Sequence, residues 1–459
     1  MSFPGRVATA GRTPPFAKEK ERGPATNRIR AVDEFCQMKH PDLILAGASV
    51  RSLAESAVRD GLRPVCVDMF GDEDLRKLVF QQFGTLAGLK TVQRFSEVPD
   101  VLADIQDDVP LIAVGGIEND FEVMAALRRQ RPVLSPAETM IRELRDPEIL
   151  FPVLAAGDCR MPRYVCGQTH PPQLAGAPPS PNERWLMKST QTAGGQGVQN
   201  FDFATWKQEP LPERHYLQEF IDGVPMSATF CRLDSNVRLL GCALQLSGCA
   251  ALNAPPFWFC GNAGPVRVSL QLRQQFQKIG QCLGNRWPIR GLFGVDVIVQ
   301  GGEVFVIEVN PRLTASHELH ELAKRDSPGH VSLHLAAYDE LSHSSRLPDG
   351  DHAAATTPLA RLIMYAECDI QISTKQLTAM QKLGRHPPEN PARVWLADLP
   401  GTQAMIPQGT PFCSVYLNLD ANLTDDTLQE LLADTFSERM TGGITRQNRE
   451  IQGIFGVIK

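Results

Sequence analysis

Four polar side chains interrupt an otherwise apolar stretch, GVDVIVQGGEVFVIEVNPR, from Gly294 to Arg312. Asp296 breaks its first half, and Glu308, Asn310 and Arg312 take alternate positions in the second. The aliphatic runs on either side of Gly301-Gly302 read as a β-hairpin. Successive strand side chains point to opposite faces, so Glu308, Asn310 and Arg312 form one row of carboxylate, amide and guanidinium. Such a row is costly in a sheet unless something satisfies it.

The place of Asp296 relative to that row depends on the turn. A two-residue Gly301-Gly302 loop sets Asp296 opposite Ile307, on the other face from Glu308. A three-residue loop, Gly301-Gly302-Glu303, sets it opposite Glu308, and both loop lengths are common. Directly opposed like charges destabilise a sheet, so the second register wants cations between the carboxylates. Few hard oxygen ligands per ion suit Mg²⁺ shared between protein and nucleotide phosphates. A charged outer face on a half-buried hairpin is the alternative for any one acid. The four residues in this order favour the metal.

Two further stretches carry chemistry. Trp185-Leu186-Met187-Lys188 is an apolar strand ending in a cation, followed by the glycine-rich Thr192 to Val198. Glycines let backbone N–H groups approach phosphates closely, and Lys188 adds a point charge. Such a loop alone is usually only a flexible turn, and it lacks the Walker A pattern. Next, Tyr216-Leu217-Gln218-Glu219-Phe220-Ile221 offers apolar and aromatic faces suited to a flat purine, or an ordinary strand running into a turn.

Behind these residues stand three expected folded units. From about residue 39 to 136, a strand at Leu43–Leu45, a helix carrying Leu53, Ala54, Ala57 and Val58, and a strand at Pro64–Asp68 form a βαβ unit, hence a parallel sheet. Another strand, from Leu111, runs into Gly115-Gly116-Ile117-Glu118-Asn119-Asp120. Loops at such strand ends are where an open α/β sheet exposes a ligand site. Ser49, Glu118 and Asn119 are candidates there, with helix capping an equal account of Ser49. Residues 137–345 make the second unit, which contains the hairpin and the glycine loop. Pro255-Pro256-Phe257-Trp258-Phe259 within it reads as core packing or as a pocket wall. The third unit, 355–459, reads as an α/β appendage with strands at Leu359–Ala366 and Ala392–Leu396. Residues 1–38, rich in Pro, Gly, Arg and Lys, read as a flexible arm.

Composition excludes several classes. A 459-residue chain with 42% hydrophobic and 21% charged residues is an ordinary globular protein. Its net charge of −6 argues against nucleic acid as the main partner. Eleven cysteines without CxxC or zinc spacing suit reduced thiols in the cytoplasm. No apolar run is long enough to span a bilayer. After Arg312 come His317, Glu318, His320 and Glu321, but HELH is not HExxH and offers no third zinc ligand. A substrate-side role as donor or base is the reading for His317.

The hairpin resembles the metal-binding signature of the ATP-grasp superfamily. The resemblance implies an ATP-grasp fold preceded by a Rossmann-like domain, with a glycine-loop lid at about 160–222. It implies ATP and Mg²⁺ as cofactors, with Asp296, Glu308 and Asn310 as metal ligands. Lys188, Gly194, Gly195 and Gly197 would contact phosphates, and Gln218, Glu219, Phe220 and Ile221 would surround the adenine. Arg145 would be a second phosphate-contacting residue, with Arg142 as its competitor, and Arg312 would face the reacting carboxyl. Within the superfamily, GASVRSLAESAVRDG, VDMFGDEDL, GGIEND, GGQGV and EVNPRLTAS are similar to the predicted carboligases related to biotin carboxylase. A tyramine–glutamate ligase of methanofuran biosynthesis belongs to that group, which suggests a tetrahydromethanopterin-linked C1 pathway.

The resulting expectation is an ATP-dependent carboxylate–amine ligase. A carboxylate attacks the γ-phosphate, Lys188 neutralises developing charge, and an amine attacks the acyl phosphate while Arg312 stabilises the oxyanion. A bicarbonate-using carboxylase and a non-catalytic nucleotide-binding protein are the competing expectations. The partners expected are small-molecule carboxylate and amine substrates and a second copy of the chain as a homodimer.

Overall fold

The computed structural model describes residues 40–166, 173–174, 183–203, 210–323, 328–339, 358–383 and 394–419. The expected arm (1–38), the end of the expected appendage (420–459) and stretches of the expected lid lie outside the described residues.

The chain first builds a parallel sheet from β1 (Leu43–Ala46), β2 (Pro64–Asp68), β3 (Leu89–Thr91) and β4 (Leu111–Ala113), in the order β3-β2-β1-β4. Strands β1 and β2 are buried at every position, which is why they read as continuous apolar runs and not as alternation. The helix Arg51–Arg59 turns Leu53, Ala54 and Ala57 onto one face of this sheet. Val98, Leu102, Met124 and Leu127 pack on the other.

A five-stranded antiparallel sheet follows: β5 (Tyr164–Cys166), β6 (Gln173–Leu174), β7 (Trp185–Ser189), β8 (Gln199–Phe201) and β9 (His215–Glu219), ordered β6-β5-β9-β7-β8. The largest sheet has eight strands. They are β10 (Val224–Leu233), β11 (Asn236–Ser247), β12 (Phe259–Gly264), β13 (Gly291–Gln300), β14 (Glu303–Asn310), β15 (Leu359–Tyr365), β17 (Val394–Ala397) and β19 (Pro411–Asn418). Two short strands, β16 (Ile370–Gln371) and β18 (Met405–Ile406), pair with each other. The order β14-β13-β10-β11-β12-β15-β19-β17 carries one continuous sheet from the β13–β14 hairpin into the C-terminal strands through the β12–β15 pairing.

One face of that sheet is covered by the helices Pro147–Ala156 and Leu270–Arg286. Phe276, Ile279 and Leu283 of the second helix join Phe230 and Phe293, whose rings stack at 5.2 Å, in the main core. No described helix is long and apolar enough to cross a membrane.

A buried polar cluster ties the first sheet to the last strands. Arg51, 2% exposed, donates to Asp398 at 2.6 Å, to the Tyr416 hydroxyl at 2.8 Å and to Glu55 at 2.8 Å, and lies 3.0 Å from Glu318. Arg361 donates to Asp398 at 2.9 Å and to Ser414 at 3.2 Å. Burying two guanidiniums is tolerable because each is met by carboxylates with good hydrogen-bond geometry.

Candidate active site

The hairpin resolves the choice of register in an unexpected way. Gln300 pairs with Glu303, so the loop is the two-residue Gly301-Gly302, with φ of 58° and 81°. Two successive left-handed residues are what a tight primed hairpin turn requires, and glycine adopts them without a Cβ clash. A two-residue loop should set Asp296 opposite Ile307. A β-bulge between Asp296 and Val297 shifts the register, so that Val297 pairs with Val306 and Asp296 with Glu308. Ile307 is the extra residue. Bulges re-aim side chains in this manner, and here the bulge brings the two carboxylates face to face.

They line a cavity of about 540 Å³, with Asn310 and Arg312 on the same wall. The Asp296 carboxylate accepts hydrogen bonds from Gln245 at 2.8 Å and Asn310 at 2.9 Å. Burial, followed by the facing charge of Glu308, pushes its pKa up to about 7. This is a strained acidic pair of the kind that a bound cation relieves.

The same cavity also holds a cation with no ion-pair partner among the described residues. Lys188, at the end of β7, is 8% exposed and lines the same cavity. Its ammonium donates to Gln218 Oε1 at 3.2 Å and takes part in no ion pair among the described residues. The Gln218 Nε2 beside it is buried with no partner. A buried ammonium normally has a carboxylate counter-ion, so the donor set here fits an anion such as a phosphate.

Gly194 and Gly195 border the cavity and Gly197 follows, all three with positive φ (65°, 76° and 79°). The loop is docked on the aromatic segment: Phe259 N donates to Gly194 O at 2.9 Å, and a Cβ at Gly195 would lie 1.9 Å from Phe257 O. Phe257 and Phe259 face the cavity and are only partly buried. Phe257 and Phe259 therefore form a pocket wall, whereas Trp258 between them packs against the main core.

Gln218, Glu219, Phe220 and Ile221 also line the cavity. The Glu219 carboxylate is engaged by Arg163 at 3.0 and 3.1 Å, and the Arg184 guanidinium covers the Phe220 ring at 3.8 Å.

Arg145 sits beside the cavity, bridging its parts. It donates to Glu308 at 3.3 Å and to Thr192 O of the glycine loop at 3.1 Å. Arg142 is elsewhere, 3.9 Å over the Phe121 ring.

The remaining expected residues divide. Glu118, 1% exposed, lines no cavity; its carboxylate accepts from Arg312 at 2.5 Å and from Gly116 N at 2.8 Å. It holds the arginine in place and has no surface left for a substrate. The Asn119 amide is buried among protein atoms with no hydrogen-bond partner. His317 is 2% exposed, lies 3.2 Å from Ser52 Oγ and 3.7 Å from Glu321, and lines neither this cavity nor a second one. A substrate cannot reach it there. Ser49 makes no side-chain cap and lines that second cavity.

Reasoning from the sequence missed Gln245 and Asn262. Both line the main cavity, and the buried Asn262 Oδ1 has no partner. Each is a single amide in an apolar strand, and only the β13-β10-β11-β12 order brings them beside Asp296.

Fold and site together define a class. Residues 156–316 match the family model described as an ATP-grasp domain, so the chain carries an ATP-grasp domain over that segment. No curated protein sequence matches. Among solved structures, the chain is similar to carboxyaminoimidazole ribonucleotide synthase from Aspergillus clavatus complexed with ATP (13% identity, TM-score 0.56, 87% of this chain and 99% of that one). It is similar to biotin carboxylase from Campylobacter jejuni (12% identity, TM-score 0.58, 84% and 89%). A third neighbour is an L-amino acid ligase from Bacillus licheniformis (13% identity, TM-score 0.56, 86% and 98%). At these identities the likeness is one of fold.

Proposed function

We propose that this protein is an ATP-dependent ligase that joins a carboxylate to an amine through an acyl phosphate. The observation that carries the reading is a cavity lined both by Lys188, which has no ion pair among the described residues, and by the opposed carboxylates Asp296 and Glu308. A polyphosphate with divalent cations complements the lysine and the acidic pair at once. Asp296, Glu308 and Asn310 would hold Mg²⁺, which when bound neutralises phosphate charge during transfer.

The chain's own residues then do the following. Lys188 binds phosphate oxygens, and the left-handed glycines at 194, 195 and 197 admit the phosphates close to the backbone. Gln218 to Ile221 accept the adenine between apolar side chains and the Phe220 ring. Arg145 couples the glycine loop to Glu308, so closing the loop and ordering the acidic pair are one event. Arg312, fixed by Glu118, binds the substrate carboxylate and then the oxyanion formed when the amine attacks. The aromatic segment and the docked loop keep water from the acyl phosphate.

A carboxylase reading, with bicarbonate as the carboxylate, is supported by the fold likeness to biotin carboxylase. The test is ADP release with Mg²⁺-ATP against a panel of carboxylates and amines, including glutamate with tyramine and bicarbonate alone. Release requiring both a carboxylate and an amine is the result expected. Release with bicarbonate and no other carboxylate would replace the ligase by the carboxylase. Glutamate with tyramine as the productive pair would extend the reading to the C1-cofactor pathway.

A further inference from the structure

A second cavity, of about 480 Å³, opens beside the first and shares Gly194 and Phe259 with it. Loops of the parallel sheet contribute Ser49, Met69 and Asp72, and the C-terminal strands contribute Ile363, Ile406 and Phe412. Its walls are chiefly apolar. Two of the large hydrophobic side chains that the fold leaves exposed, Phe70 at 38% and Met405 at 49%, also line it. Exposed apolar surface at the edge of a concave site marks a place for an apolar ligand body.

The polar features of the cavity are unevenly charged. Arg361 and Asp398 line it, but they are paired with each other at 2.9 Å. Asp72 is not paired. It occupies the N-cap position of the helix Glu73–Phe83, where a carboxylate usually accepts a backbone N–H, yet its side chain makes no cap bond. It forms no hydrogen bond or ion pair with any described side chain, is 6% exposed, and borders the cavity. Burial first, then the nearby charges of Asp398, Asp68 and Asp74, raise the Asp72 pKa well above the usual carboxylate range, with Arg51 opposing, so a bound cation would relieve a carboxylate that its surroundings disfavour as an anion. A buried carboxylate that forgoes its local partner and faces a cavity is a receptor for a cation.

We infer that this cavity receives the amine substrate, a primary amine with an apolar body, whose ammonium is recognised by Asp72. The inference rests on the ligase reading for the word substrate, but the recognition stands on the cavity alone. The shared wall at Gly194 and Phe259 places the bound amine next to the compartment in which the carboxylate is activated. Met69, Ile363, Ile406 and Phe412 select the apolar body, and the Asp72 carboxylate excludes anionic acceptors.

Two measurements test this separately from the ligase reading. In the first, calorimetry on the intact protein compares hexylamine with hexanol and hexanoate, which share its apolar body. Hexylamine is expected to bind at least tenfold more tightly than the other two, and Asp72→Asn to erase the preference. Equal binding of the three, or a preference that survives Asp72→Asn, would overturn the inference. The second uses hydroxylamine, a small and largely uncharged nucleophile at neutral pH, to trap the acyl phosphate as a hydroxamate with the carboxylate found by ADP release. Asp72→Asn should keep hydroxamate formation within about threefold while KM for the productive amine rises more than tenfold. Unchanged amine KM with hydroxamate intact would overturn the cavity assignment and leave the ligase standing. No hydroxamate from the wild type would instead remove the ligase reading, and the calorimetric result would then decide the cation site alone. If Asp72→Asn loses hydroxamate formation as well, Ile363→Trp takes its place. Narrowing the apolar wall should raise amine KM with hydroxamate formation intact, and an unmoved KM would count against the proposal.

Discussion

Glu118 and Arg312 meet at 2.5 Å across the boundary between the parallel sheet and the large antiparallel sheet, and the Glu118 carboxylate is 1% exposed. Arg145 approaches the same carboxylate at 3.8 Å. These two guanidiniums hold the Glu118 pKa below the usual carboxylate range despite its burial. The end of the hairpin is therefore positioned by a loop from another sheet.

That relationship predicts a separation of kinetic effects. Glu118→Gln should lower kcat by about 100-fold, the effect of misplacing a catalytic group by about 1 Å, while KM for ATP changes less than about threefold. Steady-state kinetics with each substrate varied would check this. A large rise in ATP KM with kcat unchanged would show that Glu118 serves the nucleotide and not Arg312.

The counter-ion-free lysine gives a sharper prediction for binding. Lys188→Met keeps most of the apolar stem and deletes the charge, so the fold should persist. ATP affinity should fall about 10- to 100-fold, the loss of a charged hydrogen bond worth about 1.5–3 kcal/mol. Calorimetric titration of Mg²⁺-ATP reads this directly. Because removing an unpaired buried ammonium relieves desolvation, the apo variant should also melt no lower than the wild type.

Much of this site is legible in the sequence because its chemistry is carried by short contiguous runs. The alternation of Glu308, Asn310 and Arg312, the strand-borne Lys188 and the glycine loop each declare themselves locally. What stays hidden depends on contacts between distant segments. The bulge that turns Asp296 toward Glu308 has no composition signature, since Ile307 is one aliphatic among several. His317 sits beside polar neighbours in sequence, but the helix Arg51–Arg59 covers it. Glu118 looks like a loop carboxylate free for substrate until the fold brings Arg312 to it. The same reason hides Arg51, whose partners Asp398 and Tyr416 are more than 340 residues away.

The acidic pair makes metal binding pH-dependent. Asp296 titrates near 7 in the folded protein against 3.8 as its ordinary value, from burial first and Glu308 second. Between these values the folded state holds a proton that the unfolded state has lost. The metal-free protein is therefore destabilised by this group as pH rises from about 4 to 7, and the full penalty applies above 7. Mg²⁺ must displace that proton, so its affinity should rise with pH through 7. Asp296→Asn should abolish turnover yet raise the melting temperature of the metal-free protein at pH 8. The gain should be about 1–2 °C per kcal/mol of relieved strain for a chain of this length and vanish near pH 4. Thermal melts across pH with chelator or Mg²⁺ present would check it, and an unstabilised variant at pH 8 would show that the pair carries no strain.

The docking of the glycine loop on Phe257 predicts an uncoupling mutation. Gly195 has φ of 76°, and its missing Cβ leaves room for a carbonyl oxygen that would otherwise lie 1.9 Å away. Alanine at 195 is opposed by both backbone conformation and contact, so the loop must lift from the aromatic wall. The strain of a left-handed alanine is only about 1–2 kcal/mol, small enough that the β7–β9 framework should survive. Lys188 and the acidic pair keep their places in β7 and the hairpin, so ATP should still bind, more weakly for the lifted loop, and phosphoryl transfer should proceed more slowly. What the lifted loop loses is exclusion of water. Gly195→Ala should therefore release ADP without a matching amount of amide product, whereas the wild type should couple the two one to one. Parallel assays of ADP and product would measure that ratio. A variant that slows both equally and keeps the ratio at one would show that the loop positions the phosphates without sealing the site.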